Sequence, residues 1–363
     1  MSNKISIIYH KYMKEYKETG KNKYLYIRYY RKLKKSNTST PEKNTQSKKS
    51  VFIKNNIIDI LNKYIQDNIL IQNNYIEDIK TNINLKKDSF YFGMVVPVYN
   101  RFHIFNIFLN SLKYNINFKS IVFCFVDDGS DDNRVRNELK NLPFSYISIF
   151  MKRDKNNIYS GKNTKIPGGY YPFTLFIGLY LIKNNCSICG QLDSDTYIKK
   201  NFFKDIFNFT QSIDMDSNII SGFNSCQEER IIKKERRGDR TILYNNMVGN
   251  VSLFFSKKIW DMIQDCFTGI LHKDHSAYQC DWDMCKILLK NNINIISNQI
   301  SKVQHIGIKT TMIRLGKIED NNNENLITEI YEILKNPKKY KNSEYIIDYN
   351  IEFDENELFF KNL

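Results

Sequence analysis

The chain has 363 residues, of which 42% are hydrophobic and 26% charged, and its formal net charge is +15. This length suffices for one large domain with appendages or for two smaller ones. The composition excludes a collagen-like, wholly disordered or multi-span membrane protein. The excess of positive charge points to a polyanionic partner such as nucleic acid, a phosphorylated ligand or an anionic membrane surface.

The basic charge is concentrated at the N-terminus. Residues 1–50 hold 14 Lys/Arg and 3 Asp/Glu, whereas residues 318–363 hold 5 and 11. The first 50 residues are also rich in tyrosine, and they are predicted to form a basic extension that ends in a flexible linker. Such an arm could bind single-stranded nucleic acid or contact an anionic membrane surface. Nucleic acid is the less expected of these partners, and the same composition also suits a solvated arm.

Cysteine usage and apolar runs indicate the compartment. The seven cysteines are an odd number at irregular spacing, and the first 25 residues lack the apolar run of a signal peptide. Residues 166–182 are uncharged but contain glycine and proline, so we expect a buried core helix there and no transmembrane helix. Together these features predict a cytoplasmic protein, with peripheral membrane contact through residues 1–50 as an option.

Strand and helix patterns alternate from residue 90 onwards. Before that point, apolar spacing predicts a helix over residues 56–80 that packs on the core. Strands are predicted at residues 91–98, 121–126, 144–150 and 187–192, and helices at residues 103–113, 132–140, 170–184, 282–290 and 321–335. This order predicts an α/β fold with a mostly parallel central sheet flanked by helices, in which ligands bind at the carboxyl edge of the sheet.

Two groups of aspartates follow predicted strands. Asp193 and Asp195 could hold a divalent cation that also bridges a diphosphate, or they could belong to a solvated turn. Residues 127–132 (DDGSDD) do not fit an EF-hand loop, because its first ligand positions would be Cys124 and Val126. In this second group Asp128 could accept hydrogen bonds from a ribose or base, with Gly129 allowing close approach, or the group could be a plain turn.

Three motifs in order resemble a known family. The sequence reads VPVYNR at residues 96–101, VDDGS at 126–130 and LDSD at 192–195. The residue types, their order and their separation are similar to those of the family 2-type glycosyltransferases with the GT-A fold. The resemblance covers residues 91–311 and continues with GNVSLFFS at 249–256, CDWD at 280–283 and VQHIG at 303–307. Ser256 is also a candidate helix cap.

The resemblance implies a role for each matching residue. It implies that Asp281 or Asp283 is the general base, although Cys280 stands where the family usually has Glu, and Asp281 is our first choice. It implies that Asp193, Asp195 and His305 bind Mn²⁺ or Mg²⁺. The implied donor or nucleotide site consists of Pro97, Tyr99, Asn100, Arg101, Asp128, Gly129, Asp193 and Ser194.

These inferences define the expected organisation and activity. We expect a basic extension (1–50), a helical segment (51–88), a GT-A domain (89–317) and an acidic C-terminal helix and tail (318–363). The expected activity is metal-dependent, inverting transfer of a sugar from a UDP- or GDP-sugar to a hydroxyl acceptor on a glycan, protein or lipid-linked glycan. A retaining transferase, a sugar-phosphate nucleotidyltransferase and a binding protein that acts through the basic arm are the alternatives.

Two basic segments within the core have a less definite interpretation. Four basic residues flank the glycine-rich loop at 161–169, where the family often contacts its donor. The charged insertion that contains Lys233, Lys234, Arg236, Arg237 and Arg240 is predicted to be a mobile loop near the acceptor. For both segments, a solvated surface is the simpler interpretation.

Overall fold

The computed structural model describes residues 76–85, 87–115, 120–151, 171–224, 228–267, 280–307 and 323–340, with residues 348, 350, 351, 353 and 358. All of them belong to one compact unit, Lys54–Leu363. The predictions made for residues 1–50, for the helix before residue 76 and for the loop at 161–169 lie outside the described residues.

A ten-stranded sheet forms the centre of this unit. The described strands are β1 Ile76–Thr81, β2 Phe90–Val98, β3 Ile121–Asp127, β4 Tyr146–Met151, β5 Cys186–Leu192, β6 Thr196–Ile198, β7 Asn218–Ser221, β8 Ile231–Arg237, β9 Arg240–Asn245, β10 Ser252–Ser256, β11 Asn294–Asn298 and β12 Val303–His305. The order in the large sheet is β1-β4-β3-β2-β5-β10-β7-β11-β9-β8, and β12 pairs with β6 separately.

Parallel strands occupy the middle of the sheet. β4, β3, β2 and β5 run parallel to one another, and β7 runs parallel to β11. β1 is added antiparallel to β4, β10 is antiparallel to both β5 and β7, and β9 and β8 extend the far edge antiparallel. The predicted α/β class is confirmed, with a mixed sheet whose parallel strands place the ends of β2, β3 and β5 at one edge.

Helices cover the sheet. They are α1 Phe102–Lys113, α2 Asn133–Glu138, α3 Tyr171–Ile182, α4 Phe202–Gln211, α5 Lys257–Ile263, α6 Cys280–Lys290 and α7 Asn323–Lys335. Apolar residues of α1, α2 and α4 join those of the strands in one buried cluster. α3 is apolar on all sides and packs on β2 and β3, as expected for a helix that is enclosed by the core. The buried helix predicted within residues 166–182 is therefore confirmed for Tyr171–Ile182.

The structure bears on three single features of the sequence: a helix cap, the cysteines and the apolar helices. Ser256 caps α5 as predicted, since its hydroxyl accepts a hydrogen bond from the Ile259 backbone at 3.4 Å. The six cysteines in the described part of the chain are free thiols. None of the helices in the described ranges combines the length and apolarity needed to cross a bilayer.

Two predictions from local pattern were wrong. Residues 76–81 form an edge strand rather than the end of a helix, because pairing with β4 satisfies their backbone and buries Ile76 and Ile79. The charged insertion is the β8–β9 hairpin rather than a mobile loop. Its two-residue turn uses Gly238 at a φ of 61°, a conformation that favours glycine, and Gly-Asp is a recognisable hairpin signal.

Candidate functional site

The first part of the site lies where β5 ends. Asp193 and Asp195 follow this strand directly, and β6 then pairs antiparallel with β12 so that Thr196 lies opposite His305. The Ile306 backbone donates a hydrogen bond to the Asp195 carbonyl at 2.8 Å. This register brings His305 Nε2 to 3.3 Å from Asp195 Oδ1, although about 110 residues separate them in sequence.

These three side chains form one cluster of ligand atoms. One oxygen of Asp193, one of Asp195 and a ring nitrogen of His305 all lie within 4.8 Å of one another. Two carboxylates with an imidazole are a suitable donor set for Mn²⁺ and are compatible with Mg²⁺. The residues present therefore fit the divalent cation that the sequence implied.

The electrostatics of the cluster also favour a cation. Burial, together with the nearby negative charge of Asp195, raises the pKa of Asp193 to about 8. Burial opposes protonation of His305, but the charge and hydrogen bond of Asp195 raise its pKa above the ordinary histidine value. The raised pKa values of Asp193 and His305 share a cause: two carboxylates lie close together, and the positive charge near them does not balance both.

Arg101 supplies part of that positive charge. Its Nη1 lies 2.7 Å from Asp195 Oδ2, and both side chains are largely buried. Arg101 and the preceding Asn100 have φ values of 56° and 47°, which are uncommon for residues with a side chain. Two consecutive residues in this conformation turn the chain sharply after β2, and the turn directs Arg101 towards the metal-ligand candidates.

A second carboxylate site lies at the start of α6. The backbone and side-chain amides of Asn250 both donate to the carboxylate of Asp281, the backbone at 3.4 Å. The Cys280 thiol also donates to Asp281, at 3.3 Å. Burial raises the pKa of Asp281 to about 6, against the lowering effect of these hydrogen bonds and of the Arg230 charge.

Asp283, the other predicted base, has a different environment. It lies one half-turn further along α6, where its carboxylate is 3.3 Å from Lys286 Nζ in an ion pair near the surface. Both aspartates are half-buried, but Asp281 has the hydrogen bonds from Asn250 and the raised pKa that suit proton transfer near neutral pH.

Tyr171 and Asn250 connect the two sites. The Tyr171 hydroxyl lies 2.5 Å from Asp193 Oδ1 and 3.2 Å from the Asn250 carbonyl. The same carbonyl accepts a hydrogen bond from the Gln191 side chain. Burial and the charges of Asp193 and Asp281 raise the pKa of Tyr171 well above its ordinary value, so its hydroxyl stays protonated and donates. Asn250 thus links Tyr171, and through it Asp193, to Asp281.

Sequence reasoning missed the roles of Tyr171 and Gln191. Tyr171 was part of a predicted helix and Gln191 part of a predicted strand, and neither position carries a motif. Asn250 stands within the GNVSLFFS segment, so the resemblance drew attention to its surroundings but not to its contact with Asp281. The antiparallel pairing of β10 with β5, in which Ser252 lies opposite Leu192, brings Asn250 next to Gln191.

The predicted donor residues have varied positions. Asp128 is buried next to Gly129, which has a φ of 71°, and the Asp128 backbone donates to Val98 at 2.8 Å. The Asn100 side-chain oxygen accepts hydrogen bonds from the backbones of Asp131 and Asp132 at 2.9 and 3.1 Å. Asn100 therefore supports the loop after β3 by contacts within the protein.

For the remaining donor candidates, the structure gives their positions in the fold. Pro97 is buried within β2 opposite Val126, Tyr99 is half-buried just after that strand, and Ser194 is buried between the two metal-ligand candidates. Their parts in ligand binding stay predictions from the family resemblance.

Gly307 offers a test of how tightly the cluster is packed. A methyl group added at Gly307 would overlap the Asp195 carboxylate, whereas one at Gly249 would only reach ordinary contact with Asp281. We expect Gly307→Ala to lower the free energy of unfolding by about 1–3 kcal/mol, as for other overpacked buried positions. Gly249→Ala, the matched control, is expected to have a smaller effect in urea unfolding. Equal stability of the two variants would contradict this packing.

Comparisons with known proteins give weak similarity in fold. No protein-family model and no curated protein matches the chain. Residues 1–349 of S. aureus TarS are 14% identical, with 70% of this chain and 72% of that one covered and a TM-score of 0.38. The galactosyltransferase LgtC in complex with donor and acceptor sugar analogs is 15% identical, with 56% of this chain and 72% of that one covered and a TM-score of 0.36. A further TarS crystal structure is 16% identical, with 70% and 44% covered and a TM-score of 0.37. At these identities a similarity concerns the fold alone.

Proposed function

We propose that this chain is a metal-dependent, inverting glycosyltransferase that moves a sugar from a UDP- or GDP-sugar to a hydroxyl acceptor. One observation carries the proposal: the cluster of Asp193, Asp195 and His305 is joined through Tyr171 and Asn250 to a half-buried carboxylate at the start of α6, Asp281. Sugar transfer from a nucleoside-diphosphate sugar needs a centre that stabilises the leaving nucleoside diphosphate. It also needs a base that removes the proton of the acceptor hydroxyl.

The donor side is assigned to the first cluster. Asp193, Asp195 and His305 would hold Mn²⁺ or Mg²⁺, and the bound ion would offset the negative charge that develops on the departing diphosphate. Arg101 already donates to Asp195 at 2.7 Å, so it holds this carboxylate in position. Asp128 at the end of β3 is the candidate acceptor of hydrogen bonds from the ribose or base.

The acceptor side is assigned to Asp281. In an inverting reaction the acceptor oxygen attacks the sugar carbon from the face opposite the leaving group, and its proton passes to a carboxylate. With a pKa of about 6, Asp281 is mostly ionised at neutral pH yet basic enough to accept that proton. The Asn250 amides orient the carboxylate, which limits the positions from which it can remove the proton.

Ligand binding tests the proposal most directly. We expect UDP- or GDP-sugars with Mn²⁺ to raise the melting temperature of the full chain in proportion to their affinity, and a CMP-sugar to have a smaller effect. Incubation of the stabilising donor with hydroxyl acceptors, followed by NMR of the product anomer, distinguishes inversion from retention. Binding of Mn²⁺ without stabilisation by any nucleotide sugar would refute the glycosyltransferase assignment.

A further inference from the structure

The β8–β9 hairpin presents a basic edge on the sheet. Residues 230–240 contain six Lys/Arg and two Asp/Glu, and β8 is the last strand of the sheet. Its side chains are largely exposed, with Ile232 64% exposed. Among the described strands β8 has a neighbour on one side only, and the backbone groups on the other side of such a strand are chemically able to receive an extended partner.

The two faces of the hairpin differ in charge balance. On one face, Glu235 pairs with Lys233 at 2.9 Å and Arg237 at 2.5 Å, and Tyr244 donates to the same carboxylate at 3.0 Å. On the other face, neither Lys234 nor Arg236 has an ion-pair partner among the described residues. These two residues are one strand repeat apart, a spacing of about 7 Å.

The hairpin begins at the proposed acceptor side of the site. The Asn246 backbone donates to the Arg230 carbonyl at 2.8 Å, and Val248 and Cys285 hold the following loop against α6. That loop ends at Asn250, which contacts Asp281. The positive charge of Arg230 also acts on the Asp281 carboxylate. The base of the hairpin is therefore connected by residues 246–250 to the residue that contacts Asp281.

We infer that this hairpin binds an acceptor chain that carries repeated negative charges, such as phosphate or carboxylate groups along a polymer. This inference rests on the proposed function, because that function places the acceptor at Asp281. Lys234 and Arg236 contact successive anionic groups, which keeps the terminal hydroxyl near the base. Complementary charge also speeds the encounter with such a chain.

The aromatic content of the hairpin favours a charged glycan over nucleic acid. Single-stranded nucleic acid is usually bound by exposed aromatic rings on which bases stack. Tyr244 is the hairpin's one aromatic residue; its ring lies 4.9 Å from Lys233 Nζ, and its hydroxyl contacts Glu235. The ring is thus already engaged within the hairpin.

Polyphosphate binding by the full chain tests the inference. We expect Lys234→Glu/Arg236→Glu to weaken binding of fluorescent polyphosphate about tenfold in anisotropy titrations, since four units of surface charge change. The matched control, Lys200→Glu/Lys204→Glu, changes the same charge at the start of α4 and is expected to bind nearly as the parent does. The N-terminal arm is identical in all variants and cancels in the comparison. Lys234→Gln/Arg236→Gln should give a smaller loss in the same direction.

Three outcomes would overturn the inference. Equal losses in the hairpin and control variants would indicate a general charge effect. Unchanged binding in both hairpin variants would leave Lys234 and Arg236 as residues that only protect the sheet edge. Tighter, hairpin-dependent binding of a single-stranded RNA oligonucleotide would identify nucleic acid as the partner. Donor-induced stabilisation is measured in the same variants, so failure of this inference is separable from failure of the proposed function.

Discussion

Asp281→Asn is expected to lower kcat for sugar transfer by about 10³-fold, because the amide cannot accept the acceptor's proton. Asparagine keeps the shape and one oxygen for the Asn250 amides, so donor binding should persist. Burial raises the pKa of Asp281, which means that the folded chain is less stable with this group ionised. The variant is therefore expected to fold, and single-turnover transfer measures the chemical step.

The pH profile and a neighbouring variant sharpen this prediction. If the parent chain has the proposed activity, its kcat/KM should fall as pH drops below about 6, where Asp281 takes up a proton, and this limb should vanish in Asp281→Asn. Asp283→Asn is the control, since Asp283 is paired with Lys286 near the surface, and it should retain nearly full activity. A larger loss in Asp283→Asn than in Asp281→Asn would reverse our assignment of the base.

Asp195→Asn is expected to weaken Mn²⁺ binding by at least about 100-fold, because it removes a charged ligand candidate from a cluster of three. The structure predicts this effect on the metal alone, before any donor is added. Titration followed by electron paramagnetic resonance of free Mn²⁺ measures the affinity. Melting curves with and without Mn²⁺ report the same loss as a smaller metal-induced shift.

Asp127→Asn provides the matched control for Asp195→Asn. Asp127 is also a buried aspartate in an arginine ion pair, with Arg136 Nε at 2.9 Å, but it lies outside the metal cluster. Each variant removes a carboxylate from the ion pair of a largely buried arginine, so the two changes are alike apart from the metal cluster. Arg136 keeps its second ion pair, with Glu77 at 2.9 Å. Asp127→Asn should nevertheless bind Mn²⁺ as the parent does. Equal Mn²⁺ affinity in the two variants would contradict the assigned site.

Local sequence pattern predicted the central elements well. The apolar runs of β2, β3 and β5 and the apolar helix α3 were identified because buried parallel strands and enclosed helices need no polar face. The pattern failed at the sheet's edges. There, β1 and the β8–β9 hairpin obtain stability from a neighbouring strand, and a pairing partner is not visible in local periodicity.

The candidate site likewise combines features that follow from local sequence with contacts that depend on the fold. The sequence by itself determined that Asp193 and Asp195 follow a buried strand and that Asp281 precedes or begins a helix, because these features depend on neighbours in the chain. The family resemblance grouped His305 with these aspartates, but only the tertiary structure shows that the β6–β12 register brings it to Asp195 and that Arg101 turns back to the same carboxylate.

The fold likewise supplies the grounds on which we propose Asp281 rather than Asp283 as the base. Both residues are carboxylates in the first turn of α6, so composition and spacing could not separate them. Desolvation raises the pKa of Asp281 even though a hydrogen bond from Asn250 lowers it, whereas Asp283 forms an ion pair with Lys286 near the surface. The amino-acid order determined which chemical groups are available, and long-range packing decided which of them meet, because desolvation and hydrogen bonding depend on residues distant in sequence.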